Sequence, residues 1–253
     1  MNRHSSILVA GALAGAALLA APPAWAQIPD TYKNLTVLPK EITKGELVGR
    51  MREIAGSLGV RCNHCHVGPE NLQGMDFASD EKPTKRTARV MMKMVEEING
   101  KLLKPIETGR TETTRVRCVT CHRGVTVPKY IDEIVEQAIQ SKGVEAALTE
   151  YRELRKKYYG SAAYDFSPGP LNVIVERLGG QQKLDDAFAV ARANIELNPT
   201  AAYPQLVLAR LHLARGEKEQ AIAAVRKAVE IEPDNAWAKK QLDELTAPDT
   251  KKE

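Results

Sequence analysis

The sequence predicts an all-α protein, and three observations carry that prediction. Aromatic residues make up only 5% of the 253 positions, while Ala, Leu, Glu, Lys and Arg are plentiful. Their small or straight side chains lose little rotamer freedom in a helix. Between Leu47 and Leu102, apolar residues recur every third or fourth position in two separate runs, which is the helical period. Beyond residue 131 a spacing of 34 relates Ala187 to Ala221, Ile195 to Val229 and Pro199 to Pro233, as repeated helical pairs would.

In chain order, residues 1–26 read first as a secretory signal. Arg3 and His4 precede the small, apolar run Ile7 to Ala21, and Ala24-Trp25-Ala26 offers the small residues that a signal peptidase accepts. The mature chain is therefore expected to begin at Gln27, in the periplasm, as a soluble or peripherally membrane-associated protein. The signal has no cysteine to carry a lipid, and no later run is long and apolar enough to span a bilayer. Residues 27–130 hold 18 basic and 12 acidic side chains, a net +6, and residues 131–253 hold 17 and 20, a net −3. A basic region on an exported protein does not meet chromosomal DNA, so no nucleic acid is expected. An acidic docking partner or an anionic cofactor is.

The first helix is announced by Thr43-Lys44-Gly45-Glu46, a capping box, and continues with Leu47, Met51, Ile54, Ala55 and Leu58 on one face until Gly56 and Gly59 loosen it. The second is expected to start near Pro83 and run to about Leu103, with Ala88, Met91, Val95, Ile98 and Leu102 as a buried stripe. All four cysteines sit in two identical frameworks, Cys62-Asn63-His64-Cys65-His66 and Cys118-Val119-Thr120-Cys121-His122. This CxxCH pattern is the signature of covalent haem attachment. Two thiols three positions apart lie on one side of a helical turn, where they can add to two vinyl groups, and the next residue sets its imidazole under the iron. A disulfide framework or a zinc site would account for the cysteines, but neither explains a histidine directly after both second cysteines.

Two haem c groups are thus predicted, on Cys62 and Cys65 with proximal His66, and on Cys118 and Cys121 with proximal His122. The distal ligands must be found elsewhere. His4 leaves with the signal, His64 lies inside its own motif, and only His212 remains, far downstream. Methionine is the soft alternative. Met51, eleven residues before Cys62 on the apolar face, is the candidate for the first iron. Met91 is the candidate for the second, with Met94 as the alternative and Met75 a weaker option for either. Methionine on an apolar stripe also serves simply as packing.

These residues together resemble the cytochrome c subunit family of photosynthetic reaction centres. The resemblance covers roughly residues 33–130 and rests on Asn34-Leu35, Val37-Leu38-Pro39, the first CxxCH, the segment Lys85 to Asn99 with its paired methionines, and Cys118 to Gly124 with Val127-Pro128. It implies, for each haem, a helix bearing an axial methionine, a turn, and a helix with CxxCH. Met51 would then serve the first iron and Met91 the second. Members of the family commonly carry four haems and a lipid anchor, so this chain looks like one half of such a subunit. Lys101 to Arg115 looks like an insertion between Met91 and its motif.

The remainder, residues 131–253, resembles a tetratricopeptide array. Helices near 168–179 and 183–198, then 202–215 and 217–232, form pairs; Asn235 to Leu245 caps them, and Ile131 to Ser141 with Val144 to Tyr159 reads as a degenerate first pair. Such a module offers a groove for a partner protein, could pack on the haem region, or could mediate a homodimer. His212 reads as a packing or surface residue.

The function expected is electron transfer between redox partner proteins, a membrane electron-transfer complex among the candidates, and not enzymatic turnover. The alternatives are a peroxidase-like haem enzyme, which needs an open iron with acid–base groups beside it, and a redox-sensing scaffold acting through its repeats.

Overall fold

A computed structural model describes residues 28–106 and 115–247 of the chain. The expected secretory signal, residues 1–26, and most of the expected insertion Lys101 to Arg115 lie outside these residues. The described residues are helical: α1 (Lys44–Leu58), α2 (Pro83–Glu97), α3 (Cys118–His122), α4 (Ile131–Lys142), α5 (Val144–Tyr158), α6 (Pro168–Gly180), α7 (Leu184–Leu197), α8 (Tyr203–Ala214), α9 (Lys218–Ile231) and α10 (Ala236–Thr246). Their only sheet-like pairing is an isolated bridge between Val67 and Asp76. The all-α expectation holds. No helix among them is long and apolar enough to cross a membrane.

The chain divides into two compact units. One takes in the residues up to Met51 together with Arg61–Glu96, the other Arg52–Val60 together with Glu97–Glu253. The boundary expected at residues 130 and 131 therefore falls inside the second unit.

In the first unit, the capping box starts α1 as anticipated. Glu46 N donates to Thr43 Oγ1 at 3.3 Å, and Thr43 N donates back to Glu46 Oε2 at 2.9 Å, so two otherwise orphan donors are satisfied reciprocally. Helix α2 begins at Pro83, whose missing N–H costs nothing in a first turn. Its expected stripe is only partly buried: Ala88, Val95 and Ile98 are half-buried, Met91 and Leu102 are exposed at 38% and 60%, and Lys85 is the one buried residue of α2. The periodicity correctly gave the helix, but burial needs a covering surface, and no described helix packs substantially along α2.

The second unit opens with the end of α1. Gly124 N donates to Ser57 O at 2.9 Å, fastening the loop after α3 to that helix. Gly59 sits at φ +67°, and a Cβ there would lie 2.2 Å from the carbonyl oxygen of Gly124, so only glycine permits the approach. After Glu97 the helix widens into one π-type turn over Ile98–Leu102. Asn99 then braces the segment before α3, its Nδ2 donating to Val116 O and its Oδ1 accepting from Val116 N, both at 2.8 Å.

From α4 onward the helices pack in antiparallel pairs: α4 with α5, α6 with α7, and α8 with α9, closed by α10. First helices stack on first helices, α4 on α6 and α6 on α8, and second on second, α5 on α7. Small residues make the close approaches: Ala147 and Ala187 are fully buried in one cluster with Tyr151, Phe188, Leu171 and Ile174, and Ala221 and Ala238 in a second with Leu206 and Val225. A polar link also runs through this core: Asn194 Nδ2 donates to Asn172 Oδ1 at 2.8 Å and to Pro168 O at 3.0 Å, and Asn198 Nδ2 donates to Asn194 Oδ1. His212 packs its ring edge-to-face on Phe188 and meets Glu217 Oε2 at 2.6 Å, in keeping with a packing role.

Candidate haem-attachment sites

The first motif is a tight turn. Cys62–His64 form one 3-10 turn, and the N–H groups of Cys65 and His66 both donate to Cys62 O. The turn is held from α2: Lys82 Nζ donates to Asn63 O, and Thr84 Oγ1 donates to His64 O at 2.5 Å. These bonds fix the peptide between the two thiols. Neither Cys62 nor Cys65 is in a disulfide, and both are partly exposed. Burial pushes the Cys65 thiol above its usual range.

His66 follows in a loop of dense polar contacts. Its ring lies edge-to-face with Phe77 at 5.1 Å. Burial first, and the Lys85 ammonium second, hold the imidazole below its ordinary range. Its Nδ1 is buried. Asp76 caps the loop, accepting from the N–H groups of Ala78 and Ser79 at 2.8 Å each, bonds that hold its carboxyl below the usual range. Asp80 is held well below that range by the Arg89 guanidinium, 2.6 Å away. Asn34, quoted in the resemblance, ties the strap ahead of α1 to this loop by donating to Ala78 O at 2.6 Å.

The second motif forms α3 itself. Arg117 N donates to Thr120 Oγ1 at 2.9 Å, Thr120 N donates to Arg117 O at 2.9 Å, and the Arg117 guanidinium pairs with Glu53 of α1 at 2.8 Å. Arg123 and Gly124, at φ +50° and +90°, end the helix and turn the chain. That turn lets His122 Nδ1 bond to the carbonyl oxygen of Val125 at 3.0 Å. A proximal histidine anchored through Nδ1 offers Nε2 to a metal with its ring plane fixed. Cys118 and Cys121 are likewise not in a disulfide.

The candidate distal ligands fall as follows. Met51 is half-buried on α1 and belongs to the same unit as Cys62, Cys65 and His66. Met91 and Met94 also belong to that first unit, whereas Cys118, Cys121 and His122 belong to the second. Met75 packs tightly on Gly68: a Cβ at Gly68 would stand 2.5 Å from its sulfur. That contact, two residues past His66, accounts for Met75 without a distal role.

The residues fit a haem in donor chemistry. Each motif presents two thiols and one imidazole, and His66 and His122 are partly buried. Exposed apolar side chains occur in both units: Val90, Met91 and Met94 in the first, and Leu102 and Val119 in the second. An apolar macrocycle covers surface of this kind. Three contributors were not readable from the motifs: Lys85, Asp80 and the carbonyl of Val125. Lys85 offered one faint sign, a cation in the first turn of a helix, where the dipole disfavours it.

Comparison with known proteins agrees with the motifs. The chain is 36% identical to the photosynthetic reaction center cytochrome c subunit of Thermochromatium tepidum over 104 residues, 40% of this chain and 22% of that protein. It is 30% identical to cytochrome c-554 of Chloroflexus aurantiacus over 118 residues, 47% of this chain and 26% of that one. It is 40% identical to the reaction center cytochrome c subunit of Rubrivivax gelatinosus over 70 residues, 28% of this chain and 16% of that protein. The chain thus matches about a quarter or less of the length of these relatives. The model of the photosynthetic reaction centre cytochrome C subunit family matches residues 4–175, through both motifs and into α6, and the chain belongs to that family.

Proposed function

We propose that the chain is a periplasmic c-type cytochrome that carries two covalently attached haem c groups and passes electrons between redox partner proteins. The observation that carries this reading is the pair of CxxCH turns, each built and braced by its own set of contacts, with one proximal histidine apiece. When bound, a haem supplies a one-electron iron couple.

The chain's own residues do the rest. The thiols of Cys62 and Cys65, and of Cys118 and Cys121, would hold the cofactors permanently through thioether bonds to vinyl groups. Lys82 and Thr84 hold the first turn rigid through its carbonyls, and Val125 O holds the His122 ring in place. A rigid first shell costs little reorganisation when charge changes. Met51 would supply a thioether sulfur to the first iron, and Met91, with Met94 as its alternative, to the second. Thioether ligation favours the reduced state relative to bis-histidine ligation, so comparatively high potentials follow.

The helical pairs from α4 to α10 act as a tetratricopeptide-like docking module for a protein partner. First helices carry its exposed aromatic surface: Tyr203 on α8 and Trp237 on α10 stand about half exposed, and the Arg210 guanidinium lies over both rings at 5.6 and 6.0 Å. The proposal is tested by the intact mass of the chain made alongside haem-attachment machinery. The expected mass carries two haem increments, falling to one in the double variant Cys62→Ala, Cys65→Ala. A chain with one increment or none would contradict it.

A further inference from the structure

Lys85 breaks two rules of local structure. It is a charged side chain left only 8% exposed, and it stands in the first turn of α2, where the helix dipole opposes a cation. Three carbonyls compensate. Lys85 Nζ donates to Phe77 O at 2.8 Å, Ala78 O at 3.0 Å and Ser79 O at 2.7 Å, and Asp80 Oδ1 lies 3.3 Å away. The same loop presents the Phe77 ring to His66 at 5.1 Å. Asp80 is shared with Arg89, whose Nη2 also donates to Asn34 O at 3.1 Å. Two cations, Lys85 and Arg89, and two carboxylates, Asp80 and Asp76, therefore stand in and around the loop that follows the proximal histidine, with Lys85 the most deeply buried of the four. At His122 the Nδ1 contact is to the neutral carbonyl of Val125.

We propose that Lys85 is a positioning residue that sets the reduction potential of the first haem, holding the Phe77–Ser79 strap against His66 and raising the potential of that haem by its charge. The inference rests on the reading that His66 ligates a haem on Cys62 and Cys65. The physics is one of sign. Oxidation leaves the iron with one more positive charge, and a fixed ammonium in a poorly solvated place opposes that state more than the reduced one. A carboxylate acts in the opposite sense. Lys85 and Asp80 are thus a tuning pair with opposite effects on one site, whereas as a structural staple they would share one effect.

The test is a redox titration of the purified holoprotein with Lys85→Met and with Asp80→Asn, beside thermal unfolding of each. The first haem's component is identified by its loss in the Cys62→Ala, Cys65→Ala variant. Lys85→Met is expected to lower that potential and Asp80→Asn to raise it. Each should change the ratio of oxidised to reduced haem at fixed potential at least threefold, a tenfold change being 59 mV for a one-electron couple. The second component stays in place in both. Shifts of the same sign, or no shift in either variant, overturn the inference. If Lys85→Met fails to fold, Asp80→Asn decides alone: an upward shift supports the inference, and any other result overturns it. Absence of any haem on Cys62 and Cys65 defeats the underlying reading and this inference together, and the mass of the chain separates that failure from the others.

Discussion

Met51 shows how far a single residue can be argued from sequence. Its place on an apolar helical face is common for core methionines. What singled it out was elimination, since His4 leaves with the expected signal, His64 lies inside its own motif and His212 lies far downstream. Met51→Ala is expected to open the first iron to external ligands, so that cyanide or carbon monoxide titrates one haem of the two. A variant that stayed wholly low-spin and bound neither would remove Met51 from the site. The cysteines and proximal histidines were legible because their chemistry is confined to five consecutive positions. Lys85 and Asp80 were not, because their importance comes from a loop that brings residues 77–80 back onto α2, and no local pattern encodes that return. Met91 shows the converse: periodicity described its face of α2, but its exposure depends on what covers the helix.

Elements were more legible than sites. The capping box at Thr43, Pro83 at the start of α2 and the 34-residue period gave helix starts that the structure reproduces to within a residue or two. What the pattern could not convey was how an element end is used. Gly59 reads in sequence only as a helix breaker, yet it is where α1 meets the backbone of Gly124, next to the turn that anchors His122. Gly59→Ala is expected to destabilise the chain by about 1–3 kcal/mol, the scale of an overpacked core substitution, because both its φ and its neighbour oppose a Cβ. Urea unfolding followed by circular dichroism measures this. An unchanged midpoint would mean that the contact is dispensable. The Asn172–Asn194 link was equally invisible, since two asparagines 22 positions apart become partners only once α6 and α7 pack.

At the scale of the whole molecule, family membership and an all-helical architecture agree with what composition and motifs predicted. The division of the chain is subtler than a haem half followed by a repeat half. The second motif belongs to the same compact unit as the helical pairs, and the family match itself continues into α6. The second CxxCH motif and the helical pairs therefore share one compact unit, which includes His122. The central claim is that both irons are closed by methionine and serve electron transfer. Its most direct test is the optical spectrum of the oxidised holoprotein, where a methionine-to-ferric-iron bond gives a weak far-red band. The account predicts that band at two-haem intensity; its absence, with high-spin features in its place, would expose an open iron and contradict the account.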